Sequence, residues 1–169
     1  NPLYPAKIVA VGSDKDAPGL AHAELYDVDT FIVEPDRFSS RETWADTLFS
    51  NIMHHEPDLV VLAGFMKILP KEFVNKLKGK LINTHPSLLP NFPGAHAVRD
   101  ALNAKATKTG VTIHKVDEGV DTGEIIVQQE VLVEARDNEG SLHERIKVVE
   151  RELLVKTVED IATKKILLG

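Results

Sequence analysis

The sequence predicts an α/β fold, a single domain built on an open, mostly parallel twisted sheet with helices on both faces. Three observations carry that expectation. Short β-type apolar runs alternate with helically spaced apolar residues between Ala6 and His85, the order that produces βαβ units with right-handed crossovers. The run Leu59-Val60-Val61-Leu62-Ala63-Gly64 contains no polar side chain, as expected of a parallel strand buried on both faces. The chain has 169 residues, 43% of them hydrophobic and 27% charged, with no repeat, low-complexity segment or linker. That suits one domain with a sizeable core.

The same totals narrow the function. Net charge is -6 and no basic run reaches five residues, so neither nucleic acid nor an anionic membrane surface is expected as a partner. Cysteine is absent, which removes disulfides, thiolate metal sites and a cysteine nucleophile together. No apolar run approaches the roughly 18 residues of a membrane span, and the first residues carry no signal-peptide pattern. A soluble intracellular protein, in the cytoplasm, is the expectation.

Taken in order, residues 1–5 form a turn-like lead-in, and Ala6 to Gly12 reads as a buried strand. Ser13 to Gly19 is a polar loop, Leu20 to Tyr26 a short helix and Asp29 to Val33 a second strand. Ser39-x-x-Glu42 fits a capping box, followed by Trp44, Leu48, Ile52 and His55 at helical spacing up to Pro57. After the strand at Leu59, Phe65 to Leu69 is a loop, Pro70 to Leu77 a short helix and Lys80 to His85 another strand. Ala95 to Ala104 reads as a helix. Thr109 to Val116 and Glu124 to Val133 are β-rich and separated by seven residues, which suits an antiparallel or crossing pair at the sheet's edge. Ser141-x-x-Glu144 is a second capping box, opening a long amphipathic helix with Leu142, Ile146, Val149, Leu153, Val158 and Ile161 on its apolar side.

Candidate chemistry concentrates at the end of the fourth strand. Asn83 and His85 are two apart, so their side chains project from one face while Thr84 points to the other. Pro86, Pro90 and Pro93 stiffen the loop that follows. Ligands of open α/β sheets bind outside the carboxyl ends of the strands, where this pair lies. Asp121, flanked by Gly119 and Gly123, is a third member if it reaches the imidazole, because a nearby carboxylate favours the charged ring. Spacing alone leaves open a turn aspartate that merely caps Thr122 and Gly123. His114 alternates with Thr112 and either faces the site or is a satisfied structural histidine. Residues 11–19 lack G-x-G-x-x-G, and no G-x-S-x-G occurs.

Asn83-x-His85-Pro86-Ser87-Leu88-Leu89-Pro90, then Thr109-Gly110-Val111-Thr112-Ile113-His114 and Asp117-Glu118-Gly119-Val120-Asp121-Thr122-Gly123, resemble the folate-dependent formyltransferase family. The resemblance runs from about Ala6 to the last helix. Phe92-Pro93-Gly94 and His114 resemble the branch that uses glycinamide ribonucleotide. It implies a Rossmann-like formyltransferase fold and transfer of a formyl group from 10-formyltetrahydrofolate, a cosubstrate, to the ribonucleotide's amine in purine synthesis, with no metal. Asn83, His85 and Asp121 would be catalytic. Arg41, Met66, Lys67, Ile68, Leu69, Asn83, Asp117, Glu118, Gly119 and Val120 would hold the folate, with Lys67 standing where the family pattern has arginine. Lys147 and Glu150 would meet the ribonucleotide. It further implies a monomer or homodimer. A formyltetrahydrofolate hydrolase and a non-catalytic folate-binding module are the alternatives the same residues allow. The family's opening strand and Ser-Gly-x-Gly-Ser-Asn type phosphate loop have no counterpart before Ala6, so residues 1–169 read as a formyltransferase domain lacking that first strand and loop.

Overall fold

A computed structural model describes residues 3–169. Of the predicted lead-in, Asn1 and Pro2 lie outside the described residues. The chain divides into two compact units, the first up to Asp58 together with Leu69–Lys76, the second Leu59–Ile68 with Leu77–Gly169.

In the first unit, β1 (Ala10–Ser13) pairs in parallel with β2 (Asp29–Ile32) across α1 (Pro18–Glu24), with Ala10 opposite Asp29 and Ser13 opposite Ile32. Pro18 opens α1, where its fixed φ and missing N–H cost nothing. The predicted strand from Ala6 is shorter and less buried than expected. Because β2 begins opposite Ala10, residues 6–9 have no ladder partner there, and Ile8 is 65% exposed. A single turn of 3-10 helix at Pro35–Arg37 leads to α2 (Arg41–His54). The cap is Ser40 rather than the predicted Ser39. The Ser40 hydroxyl accepts from Thr43 N at 3.1 Å and the Thr43 hydroxyl accepts from Ser40 N at 3.3 Å, so a threonine takes the role expected of Glu42. Trp44, Ala45 and Leu48 are buried, and the Trp44 indole N–H donates to the Val33 carbonyl at 2.9 Å. The short helix α3 (Lys71–Lys76) belongs to this unit, with Phe73 edge-on to Phe49.

The second unit is a four-stranded sheet in the order β3-β4-β5-β6, formed by Val60–Ala63, Leu81–His85, Lys108–Lys115 and Ile125–Leu132. β3 and β4 are parallel, while β4–β5 and β5–β6 are antiparallel. The α/β class holds, with parallel pairing in β1–β2 and β3–β4 and the expected antiparallel hairpin at the edge. β4 lies inside the sheet and is buried along most of its length, whereas β3 is an edge strand and only half-buried, not covered on both faces as its composition predicts. One core cluster of this unit is Val98, Val111, Val131, Leu142 and Ile146, from α4 (Ala97–Asn103), β5, β6 and α5 (Glu139–Ala162). Each such side chain contributes roughly 1.5–3 kcal/mol on burial.

The long helix α5 starts a turn earlier than predicted. Asn138 is its cap, accepting from Ser141 N at 3.0 Å while the Ser141 hydroxyl accepts from Asn138 N at 3.0 Å. Ser141 is therefore the box's third helical residue and not its cap. Among the described residues no helix is long and apolar enough to cross a membrane.

Candidate active site

Strand geometry assembles the site from the second unit alone. Asn83 and His85 leave the same face of β4, and the antiparallel register sets Asn83 opposite His114 and His85 opposite Thr112 on β5. Directly opposed residues share a face, so the four side chains form a patch that neither strand's sequence contains by itself. The β5–β6 loop adds Asp121. Its φ of 55° lies in the left-handed region, which aspartate tolerates better than most residues. Gly123 closes that loop against β5, since a Cβ there would overlap the Lys115 carbonyl oxygen.

Asp121 lies between the two histidines. Its Oδ2 accepts from Gly94 N at 2.8 Å and stands 3.3 Å from His85 Nδ1, while Oδ1 is 3.6 Å from His114 Nε2. The side chains of His85, His114 and Asp121 are 6%, 2% and 12% exposed, so little water screens their interactions. His85 Nε2 lies 2.9 Å from the Phe92 carbonyl. Each nitrogen of this ring thus faces an oxygen acceptor, and only the doubly protonated ring donates to both.

His114 has the opposite assignment. The Asn83 Nδ2 amide donates to its Nε2 at 3.1 Å, so Nε2 accepts and the proton sits on Nδ1, where the Lys115 carbonyl accepts it at 2.8 Å. His114 fixes the Asn83 amide, which leaves one amide N–H aimed by that contact. Its place in the site was open from the sequence. The signal that decides it is the β4–β5 register, which brings Asn83 and His114 together across 31 positions.

The other predicted residues fall in three groups. Met66, Ile68 and Val120 are large apolar side chains 67%, 57% and 50% exposed, on loops that leave the carboxyl ends of β3 and β5. Lys67, Glu118 and Gly119 are exposed beside them, and Leu69 is half-buried. Asp117 builds its own loop, accepting from Gly119 N at 3.0 Å and from the Thr122 hydroxyl at 2.7 Å. Arg41 is the exposed first residue of α2, in the first unit. On α5, Lys147 pairs with Glu144 at 2.8 Å, while Glu150 is half-buried one turn on. Among the described residues no group of three or more histidine, aspartate or glutamate side chains is arranged to hold a metal ion.

A nearly buried aspartate between two histidines, with an asparagine held by one of them, gathers hydrogen-bonding and ionisable groups around one strand end. Known proteins share the chain that builds it. The formyl transferase family model matches residues 2–158. A phosphoribosylglycinamide formyltransferase of Mycobacterium tuberculosis is 48% identical over 160 residues, covering 95% of this chain and 74% of that protein. The human trifunctional purine biosynthetic protein adenosine-3 is 37% identical over 169 residues, 99% of this chain but 17% of that protein. The crystal structure of a phosphoribosylglycinamide formyltransferase from Bacillus halodurans superposes with a TM-score of 0.91 at 34% identity, over 96% of this chain and 84% of that one. The chain belongs to the formyl transferase family.

Proposed function

We propose that the chain transfers the formyl group of 10-formyltetrahydrofolate to the amine of 5'-phosphoribosylglycinamide, a step of purine biosynthesis carried out in the cytoplasm. The observation that carries this reading is the Asp121 carboxylate set 3.3 Å from His85 Nδ1 beside an Asn83 amide held by His114, in a chain whose relatives are named phosphoribosylglycinamide formyltransferase.

The chemistry follows from the donors. Attack of the amine on the formyl carbon forms a C–N bond and moves the carbonyl electron pair onto oxygen. Fixed N–H donors stabilise that oxyanion strongly in a water-poor site. Asn83 supplies one through its amide, held by His114, and the cationic His85 ring supplies another. Collapse of the intermediate breaks the bond to the folate nitrogen, which takes its proton from His85 as general acid. Asp121 faces the ring's other nitrogen and accepts, through water, the proton released by the attacking amine. The His85 proton now bound to the Phe92 carbonyl is the one that must be shared with substrate, so the loop carbonyl holds the ring's aim until the substrate arrives.

Met66, Ile68, Leu69 and Val120 would form the apolar wall for the pterin, with Asn83 and the backbone of Asp117, Glu118 and Gly119 meeting its polar edge. Lys67 would meet the glutamate tail. Lys147 would exchange its Glu144 partner for the ribonucleotide, with Glu150 beside it.

The test is an acceptor-dependent assay with 10-formyltetrahydrofolate, following deformylated folate with and without glycinamide ribonucleotide. Release only in the presence of the ribonucleotide is expected. Release without any acceptor makes the chain a hydrolase, and no release in either case leaves a folate-binding module or an inactive chain.

A further inference from the structure

We infer that Gln128 is a positioning residue for the reaction proposed above, acting on His85 and Asp121 without touching either. The inference rests on that functional reading and adds to it a part of the sheet that carries no reacting group.

His85, Thr112 and Gln128 stand opposite one another on β4, β5 and β6, one transverse row of the sheet. Thr112 sits in the middle and spends its whole hydroxyl. It donates to the Ser87 carbonyl at 2.7 Å and accepts from Leu89 N at 3.0 Å and from Gln128 Nε2 at 2.8 Å. Gln128 gives its other amide hydrogen to the Leu89 carbonyl at 2.8 Å. Three backbone groups of the proline loop are thereby tied to the sheet. Thr112 and Ser87 are fully buried, so bulk water cannot replace a donor removed there.

From Leu89 the order passes along the loop. The Ser87 hydroxyl donates to the Asn91 carbonyl at 2.6 Å and Asn91 N to the Leu88 carbonyl at 3.0 Å. The next residues carry the two groups that reach the reacting side chains, the Phe92 carbonyl on His85 Nε2 and the Gly94 N–H on Asp121 Oδ2. Both are main-chain groups. Their positions are set by where the loop lies, and among the side chains tying that loop down, Gln128 is the one on β6.

The experiment compares full-length wild-type protein with Gln128→Met, which keeps length but has no donor, and Gln128→Glu, which keeps shape but sets a carboxylate against the Leu89 carbonyl. Expected are kcat losses of about 10- to 100-fold, larger for the glutamate variant, with KM for both substrates within about twofold. The imidazole nitrogen signals of His85, read by NMR on free protein, are expected to shift in both variants. A kcat within about twofold of wild type, a loss carried by KM, or a loss of kcat with unmoved His85 signals would each overturn the proposal. Should the variants not fold, amide exchange in the wild type decides: the Leu89 N–H is expected to be strongly protected, and exchange at the rate of an exposed loop overturns the clamp. The two NMR readouts need no turnover, so a wild type without transferase activity would sink the functional reading while still testing the clamp.

Discussion

Two carboxylates in the second unit are bonded alike but face different bases. Asp121 accepts from the Gly94 N–H and lies against His85 and His114. Asp137, just before α5, accepts from the Glu134 N–H at 2.7 Å, from the Ser141 hydroxyl at 2.8 Å and from the Arg145 guanidinium. Each sits in a turn, takes one backbone N–H and is nearly buried, with side chains 12% and 3% exposed. The difference is the proton inventory of the basic partner. A guanidinium does not release its proton, so the Asp137 pair can only hold shape. An imidazole gains and loses one near neutral pH, so in the function proposed above the same bonding around Asp121 serves as a path for protons.

Replacing each carboxylate by its amide separates the two roles. Asp121→Asn keeps the left-handed backbone and an acceptor for Gly94, yet removes the charge facing both imidazoles. A kcat loss of about 10²- to 10⁴-fold is expected, with a melting temperature within a few degrees of wild type, measured by steady-state kinetics and calorimetry on the same preparation. A variant that turned over at the wild-type rate would return Asp121 to the role of a turn aspartate.

That ambiguity is where the sequence reading stopped, and its limits are physical. Asn83 and His85 were legible because a strand's side-chain period is local. The α/β class and the antiparallel edge were legible from the spacing of the apolar runs. His114 was not, because its membership depends on a β4–β5 register set by tertiary pairing, and neither was the row His85, Thr112 and Gln128 for the same reason. Cap positions slipped because Ser39, Ser40 and Thr43, or Asn138 and Ser141, offer competing hydroxyl and amide groups within one turn. The exposure of Ile8 and Val9 was hidden because composition reports what a residue prefers, and not whether a strand lies beside it.

The counterpart of the first substitution is Asp137→Asn, where stability rather than turnover is expected to change. Hydrogen bonding from Glu134 N, followed by that from the Arg145 guanidinium, holds the Asp137 carboxyl below its ordinary 3.8. A depressed folded-state value means that the group adds stability above pH 3.8 and loses it as pH falls through the folded value. Acid unfolding followed by circular dichroism is expected to show a stability slope below that pH which shrinks in Asp137→Asn. At pH 7 the variant is expected to melt a few degrees lower with kcat within about twofold of wild type. A variant that kept its stability and lost its turnover would reverse the two roles.

The smallest effect is expected at a third acid, Asp29, which has a histidine partner and lacks burial. His55 Nδ1 is 3.7 Å from Asp29 Oδ2, but the aspartate side chain is 77% exposed. The His55 ring is placed instead by stacking on Phe31, with centroids 5.9 Å apart. Even a fully charged pair at the surface is worth only about 0–1 kcal/mol and is screened by salt. Asp29→Asn is therefore expected to change unfolding free energy by less than about 1 kcal/mol, with the difference vanishing in high salt, and to leave transfer kinetics unaltered. If it instead slowed turnover as Asp121→Asn does, then a histidine partner alone would suffice for function. Dryness and a backbone N–H on the carboxylate would not be what separates the site from the surface.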